Sequence, residues 1–147
     1  SSISMQEQTS RFEANLANLE RIGLCIANFM QAAHLCDEQI YNFEVSVDEH
    51  FSNLVEHAFH GNSKEAITIT CREDHAKVQV IMTDASAGFD PRHYSVPDVG
   101  ERTIYELPPG GFGNYFICEL MDEVDYIHRP YVKNELILTV YRNKQGE

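Results

Sequence analysis

The chain has 147 residues, 43% of them apolar, which suits one domain, 1–147, with room for a proper core; it has no apolar run long enough to cross a membrane. Its formal charge of −12, with 11 Lys and Arg against 23 Asp and Glu, argues against a nucleic-acid partner, because neutralising phosphates needs a basic face. Four cysteines, Cys25, Cys36, Cys71 and Cys118, stand far apart with no C-x-x-C, which suits reduced thiols in a cytoplasmic protein better than a disulfide frame or a zinc site. No signal peptide is read at the start, and Ser1 in place of Met leaves open a domain cut from a longer chain.

In chain order, residues 1–10 carry no pattern and are expected to be flexible. Phe12, Leu16, Leu19, Ile22, Ile26 and Phe29 recur every three or four residues, so Arg11 to about Ala33 is expected to be a helix. Asp37 is a plausible cap for a second helix, whose stripe runs through Ile40, Phe43, Val47, Phe51, Leu54, Val55 and Ala58 and stops near His60 at Gly61 and Asn62. Ala66 to Cys71 and Lys77 to Thr83 alternate as strands and form a hairpin through Arg72 to Ala76. After Asp84 the pattern breaks for about 25 residues, a loop length usually tied to function or mobility. A glycine-rich loop, a helix to Met121 and strands near Glu123 to His128 and Glu135 to Arg142 follow. The order α-α-β-β-loop-α-β-β predicts an α+β sandwich, an antiparallel-rich sheet with helices on one face.

Three groups of residues carry chemistry. PPGGFGNYF, from Pro108 to Phe116, sets Gly110, Gly111 and Gly113 before a helix start, where close backbone and free N–H groups suit a phosphate; a plain tight turn fits the same residues. Glu49 and Asn53 are four apart on the second helix and so share a face, expected opposite the apolar stripe. Such a pair can set a general base beside a Mg2+ ligand, although any solvated helix face also carries Glu and Asn. In MTDASAGFDP, Asp84 ends a strand and Gly88 follows four residues later, so a carboxylate could accept from an exocyclic amine while glycine lets a base lie on the backbone; a strand-to-turn exit is the plainer alternative.

Together, VSVDEHFSNLVEHAF resembles the N-box of the GHKL, or histidine-kinase-like, ATPase superfamily, MTDASAGFDP its Asp-and-Gly box and GGFGNYFICELMDEVDY its second glycine box. With the ending NELILTVYR, nearly the whole chain looks most like the anti-sigma factor serine/threonine kinases. The resemblance implies a two-layer Bergerat-type α/β sandwich, a mixed but mostly antiparallel sheet, with ATP between helices and sheet under a lid at about 91–109. It also implies Glu49 as catalytic base, Asn53 as the Mg2+ ligand, Asp84 at the adenine amine, Gly88 under the base, and Gly110, Gly111, Gly113 and Asn114 at the phosphates. His57, in a His-Ala-aromatic ending with Ala58 and Phe59, is expected to pack rather than react.

The activity so implied is phosphorylation of a STAS-type anti-anti-sigma protein by a kinase that also holds a sigma factor or similar regulator, with a homodimer as a further possibility. Three departures stand out: Ser86 replaces the first glycine of D-x-G-x-G, Phe112 stands where a small, polar or basic residue is common, and Asn114 where Leu is frequent. They keep open a non-catalytic, nucleotide-gated binding module. The ATPase domain of a larger signalling protein is a third reading. Arg92 and Arg102 in the lid could reach a γ-phosphate, but a solvated loop charge is the preferred reading of either one.

Overall fold

A computed structural model describes residues 6–92 and 117–142. Five strands form one sheet: β1 (Gln6–Glu13), β2 (Ala66–Glu73), β3 (Lys77–Asp84), β4 (Glu123–Ile127) and β5 (Asn134–Tyr141), in the order β1-β2-β3-β5-β4. All four pairings among the described residues are antiparallel, in keeping with the mixed but mostly antiparallel sheet expected. Two helices, α1 (Leu19–Ala32) and α2 (Asp37–Asn53), pack on it, and residues 117–120 are helical.

The sheet sorts its residues by the two-residue period of a strand. Ile67, Ile69 and Cys71 of β2, Val78, Val80 and Met82 of β3, and Leu136, Leu138 and Val140 of β5 are buried in one core with Ile22, Ile26 and Met30 of α1 and Phe43, Val47 and Phe51 of α2. On the other face Arg72 Nε donates to Gln79 Oε1 (2.8 Å), and Gln79 Nε2 donates to Thr139 Oγ1 (2.9 Å), a polar ladder across three strands.

The first helix starts later than its periodicity predicts. Residues 6–13 are strand β1, paired with β2 from Gln6 opposite Glu73 to Glu13 opposite Ala66, so the stretch 6–10 is ordered rather than flexible. The sequence hides this because β1 is an edge strand with little buried beyond Phe12, and Phe12 falls by chance in helical phase with Leu16 and Leu19. Between strand and helix, Asn15 caps a short 3-10 turn, Leu16–Asn18, accepting from Ala17 N at 2.8 Å.

The second helix is capped by Cys36, one residue before the expected Asp37: Cys36 N donates to Gln39 Oε1 (3.1 Å), and Asp37 and Glu38 lie in the first turn, where the helix dipole favours carboxylates. Its regular ladder stops at Asn53, and a π-helical turn, Leu54–Ala58, carries the chain to His60 and Gly61, both at positive φ. The β2–β3 hairpin turns at Asp74, whose Oδ1 accepts from Ala76 N and Lys77 N at 2.8 and 2.9 Å. Arg142 ties the last strand to the rest, donating to Asp74 O (2.8 Å), Ala33 O (2.7 Å) and the Glu73 carboxylate.

Leu138 is fully buried, whereas Leu24 on α1 is exposed. Urea denaturation is expected to show Leu138→Ala losing about 2–5 kcal/mol of stability and Leu24→Ala less than about 0.5 kcal/mol. Equal losses would mean that α1 buries Leu24 in solution.

Candidate functional site

Glu49 and Asn53 lie one turn apart near the end of α2, and the Asn53 side chain hydrogen-bonds to the Glu49 carboxylate. Glu49 is half buried, and burial is the largest effect on it: it raises the carboxyl above its ordinary pKa, with Asp48 and Glu56 pushing the same way and Asn53 and His57 opposing. Asn53 is only 3% exposed, so the pair does not lie on a plain solvated face, and Asn53 is buried with the apolar stripe it was expected to oppose. Ser46, Val47, His50, Phe51 and Asn53 are buried while Asp48 is exposed and Glu49 and Ser52 are half-buried, so the covered side of the C-terminal half of α2 is broad and takes in polar residues. Directly after Asn53 the π-helical turn widens the backbone ladder, with Phe59 N on Leu54 O at 2.8 Å.

Asp84 ends β3 on the helix-facing side and is 3% exposed. Its Oδ1 accepts from Ser86 N (3.0 Å), Ser86 Oγ (2.6 Å) and Asn134 Nδ2 (3.1 Å). Its Oδ2 is buried and has no hydrogen-bond partner among the described residues. A carboxylate with one oxygen saturated and the other open is an acceptor for a donor brought by a ligand, and the amino group of adenine is such a donor.

Gly88 sits at φ +93°, and a Cβ there would meet Tyr126 Oη at 2.7 Å and the His128 ring at 2.8 and 2.9 Å. Both conformation and space therefore require glycine. Tyr126 and His128, from β4 and just after it, hold the loop: Phe89 N donates to Tyr126 Oη (3.0 Å), and His128 Nε2 lies 3.0 Å from Ala87 O. Burial pushes the Tyr126 hydroxyl up to about 12, so it stays protonated and keeps a hydrogen to donate. His57 stacks on Phe89 with ring centroids 5.5 Å apart, so it packs and joins the end of α2 to this loop. A cleft of about 330 Å³ opens beside it, lined by Gly88, Phe89, Asp90, Arg92, Tyr126 and His128. Arg92 forks onto the Asp90 carboxylate at 3.0 Å.

Ser86 stands where glycine is usual, yet the described non-glycine residues with positive φ are His34, His60 and Tyr131, so Ser86 needs no left-handed backbone. Its hydroxyl donates to Asp84 and accepts from Gly88 N (3.0 Å), closing the turn that a glycine would leave to the backbone alone.

Of the expected site residues, the structure brings Glu49 and Asn53 together on α2 and Asp84 and Gly88 on one loop. The His57–Phe89 stack joins the two groups. Gly110, Gly111, Gly113 and Asn114, and nearly all of the 91–109 segment, lie outside the described residues. Among the described residues no cluster of three or more His, Cys, Asp or Glu side chains could hold a metal ion. No described helix is long and apolar enough to cross a membrane.

Sequence reasoning missed Asn134, Tyr126, His128 and the buried His50. Asn134 shares the phase of Leu136, Leu138 and Val140, and His50 falls within the stripe between Val47 and Phe51, so a polar residue in core phase was the available signal. Neither ring nitrogen of His50 nor Ser46 Oγ has a hydrogen-bond partner among the described residues. Burial lowers the His50 pKa to about 4, against the opposite pull of Asp84 and Asp90.

A profile of the histidine kinase-like ATPase domain matches residues 12–140. The chain belongs to that family. It is 30% identical over 95 residues to the serine-protein kinase RsbW of Bacillus pumilus, covering 60% of this chain and 57% of that one. It is 33% identical over 92 residues to the RsbW of Oceanobacillus iheyensis, covering 59% and 57%, and 28% identical over 126 residues to that of Listeria monocytogenes, covering 83% and 78%. The matched segment thus spans little more than half of the first two of these relatives. The fold is similar to that in a crystal structure of the RsbU and RsbW domains of a Mycobacterium tuberculosis protein, with a TM-score of 0.65, 13% identity, and coverage of 92% of this chain and 31% of that one. The ATPase sandwich implied by the three boxes is therefore the fold of this histidine kinase-like domain.

Two outcomes are expected. Because folding holds His50 neutral, with its pKa lowered from 6.5 to about 4, the unfolded chain takes up the proton first as pH falls. Its contribution is fully present above pH 6.5 and is lost on the way down to about pH 4, by roughly 3 kcal/mol in all. His50→Leu should flatten that part of the stability curve and cost little at pH 7, since no hydrogen bond to a described residue is broken. Gly88→Ala should lose nucleotide binding in a calorimetric titration, and Tyr126→Phe should not restore it, because the His128 contact and the positive φ remain.

Proposed function

We propose that the chain binds ATP with Mg2+ and transfers the γ-phosphoryl group to a serine or threonine hydroxyl of a STAS-type anti-anti-sigma protein. It acts as the anti-sigma-type kinase of a bacterial partner-switching pathway in the cytoplasm. The observation that carries the reading is Glu49: a half-buried carboxyl, raised by burial and oriented by Asn53, at the helix end that the His57–Phe89 stack joins to the Asp84 loop. The matching relatives named serine-protein kinases support the same reading.

Asp84 Oδ2 suits the adenine amine, Gly88 lets the base lie against backbone, and Gly110, Gly111, Gly113 and Asn114 take the phosphates. Asn53 offers a hard neutral oxygen fit for Mg2+, while its amide N–H holds the Glu49 carboxylate. When bound, Mg2+ supplies charge neutralisation at the phosphates. Glu49 accepts the proton of the attacking hydroxyl as the new O–P bond forms and ADP leaves; the raised carboxyl brings its basicity closer to the working pH. Asp84 and Gly88 position the nucleotide and take no part in bond making. A sigma factor or similar regulator is the second partner, and a homodimer the working assembly.

Of the departures that favoured a non-catalytic module, Ser86 no longer does, because its hydroxyl completes the Asp84 turn. With γ-labelled Mg-ATP and a cognate STAS protein, wild type should transfer label. Glu49→Gln should transfer at least about 100-fold more slowly while still binding ATP, and Asp84→Asn should lose ATP binding. Transfer by Glu49→Gln at the wild-type rate would remove Glu49 from the mechanism, and ATP binding without transfer would mark a nucleotide-gated module.

A further inference from the structure

Asn134 is fully buried at the start of β5, in phase with Leu136, Leu138 and Val140, where the strand pattern calls for an apolar side chain. A buried carboxamide is costly unless its groups are bonded, and this one is held on three sides. Its Nδ2 donates to Asp84 Oδ1 (3.1 Å) and to Ser86 O (2.9 Å), and its Oδ1 accepts from Arg129 N (3.0 Å). The backbone N–H of Arg129 can only donate, so the amide oxygen must face it and the amide nitrogen must face Asp84. The antiparallel register sets Asn134 directly opposite Asp84, so this clamp is built into the pairing of β3 and β5.

We propose that Asn134 is a positioning residue that fixes which way the Asp84 carboxylate faces, and so makes the base pocket select a purine carrying an amino group over one carrying a carbonyl at the same place. The proposal rests on the nucleotide reading of the site. The Ser86 bonds to Asp84 Oδ1 come from within the same turn, two residues away, whereas the Asn134 bond reaches it from another strand. Ser86 O is also shared with Tyr131 N (2.8 Å), so Asn134 fixes the turn together with the carboxylate it carries. With Oδ1 occupied by three donors, the carboxylate presents Oδ2 alone, an acceptor in one direction. An exocyclic amine donates to it, while a carbonyl oxygen meets it acceptor to acceptor. Free of Asn134, the carboxylate can turn and admit water between itself and the base, and the distinction fades.

The test is calorimetric titration of ADP and of IDP, whose base carries a carbonyl where adenine carries its amine, against wild type, Asn134→Leu and Asn134→Asp. Asn134→Asp keeps an acceptor for Arg129 N but sets an oxygen in place of the amide nitrogen, so it removes the bonds to Asp84 and Ser86 O and leaves the one from Arg129. Circular dichroism checks that each variant folds, and the reading is the ratio of the two affinities within one protein, which a general loss of stability leaves unchanged. Wild type should bind ADP at least about tenfold more tightly than IDP, the scale of one hydrogen bond to a charged group. In a folded variant the ratio should fall to near unity. A folded variant that keeps the wild-type ratio would overturn the role of Asn134, as would a wild type that binds both nucleotides equally. A wild type that binds neither would instead overturn the nucleotide reading beneath it.

Discussion

The pairing of β3 with β5 is the constraint on which the site depends. Eight residues pair from Lys77 opposite Tyr141 to Asp84 opposite Asn134, and the ladder changes character along its length. Val78, Val80 and Met82 face Val140, Leu138 and Leu136 in the core, and the next pair in the same phase is a carboxylate facing a carboxamide. A slip of β5 by one residue would turn Asn134 to the far face and leave Asp84, Ser86 O and Arg129 N without their bonds to it. Because the apolar part of the ladder fixes the register, the hydrophobic core also fixes the direction in which Asp84 points.

The same end of the molecule concentrates the chain's unfavourable burials. Ser46, His50 and Asn53 put polar groups into the covered side of α2, and His50 is held neutral there at the expense of stability in acid. A core built for stability alone would place apolar side chains at these positions. Among the described residues, His50 and Asn53 share the buried helix-facing side with Asp84, Ser86 and Asn134, as a ligand-binding end demands. The opposite end is closed more simply, by Arg142 on two carbonyls and Glu73.

Much of the fold was legible because its signals were local. The stripe from Ile40 to Ala58 and the alternations around Ile67–Cys71 and Val78–Met82 give their elements directly, with boundaries close to those observed. Strand β1 was not legible, since an edge strand needs no apolar alternation and QEQTSRFE takes its conformation from β2. Gly88 could be picked out from its spacing after Asp84, but the need for glycine there comes from Tyr126 and His128, about 40 residues along the chain, which no local pattern links to it.

The sequence by itself determined the α+β class, the order of helices and strands from α1 onward, and the residue types that suit phosphoryl transfer: Glu49 and Asn53 one turn apart, and Asp84 four residues before Gly88. These follow from helical and strand periods and from the chemistry of each side chain, which act over a few residues. Only the tertiary structure decided that Asn53 is buried against Glu49, that Ser86 serves without a left-handed backbone, and that Asn134 leaves Asp84 a single open oxygen. Each depends on groups brought together by strand register and helix packing, and hydrogen bonds across 50 residues of chain have no counterpart in local sequence.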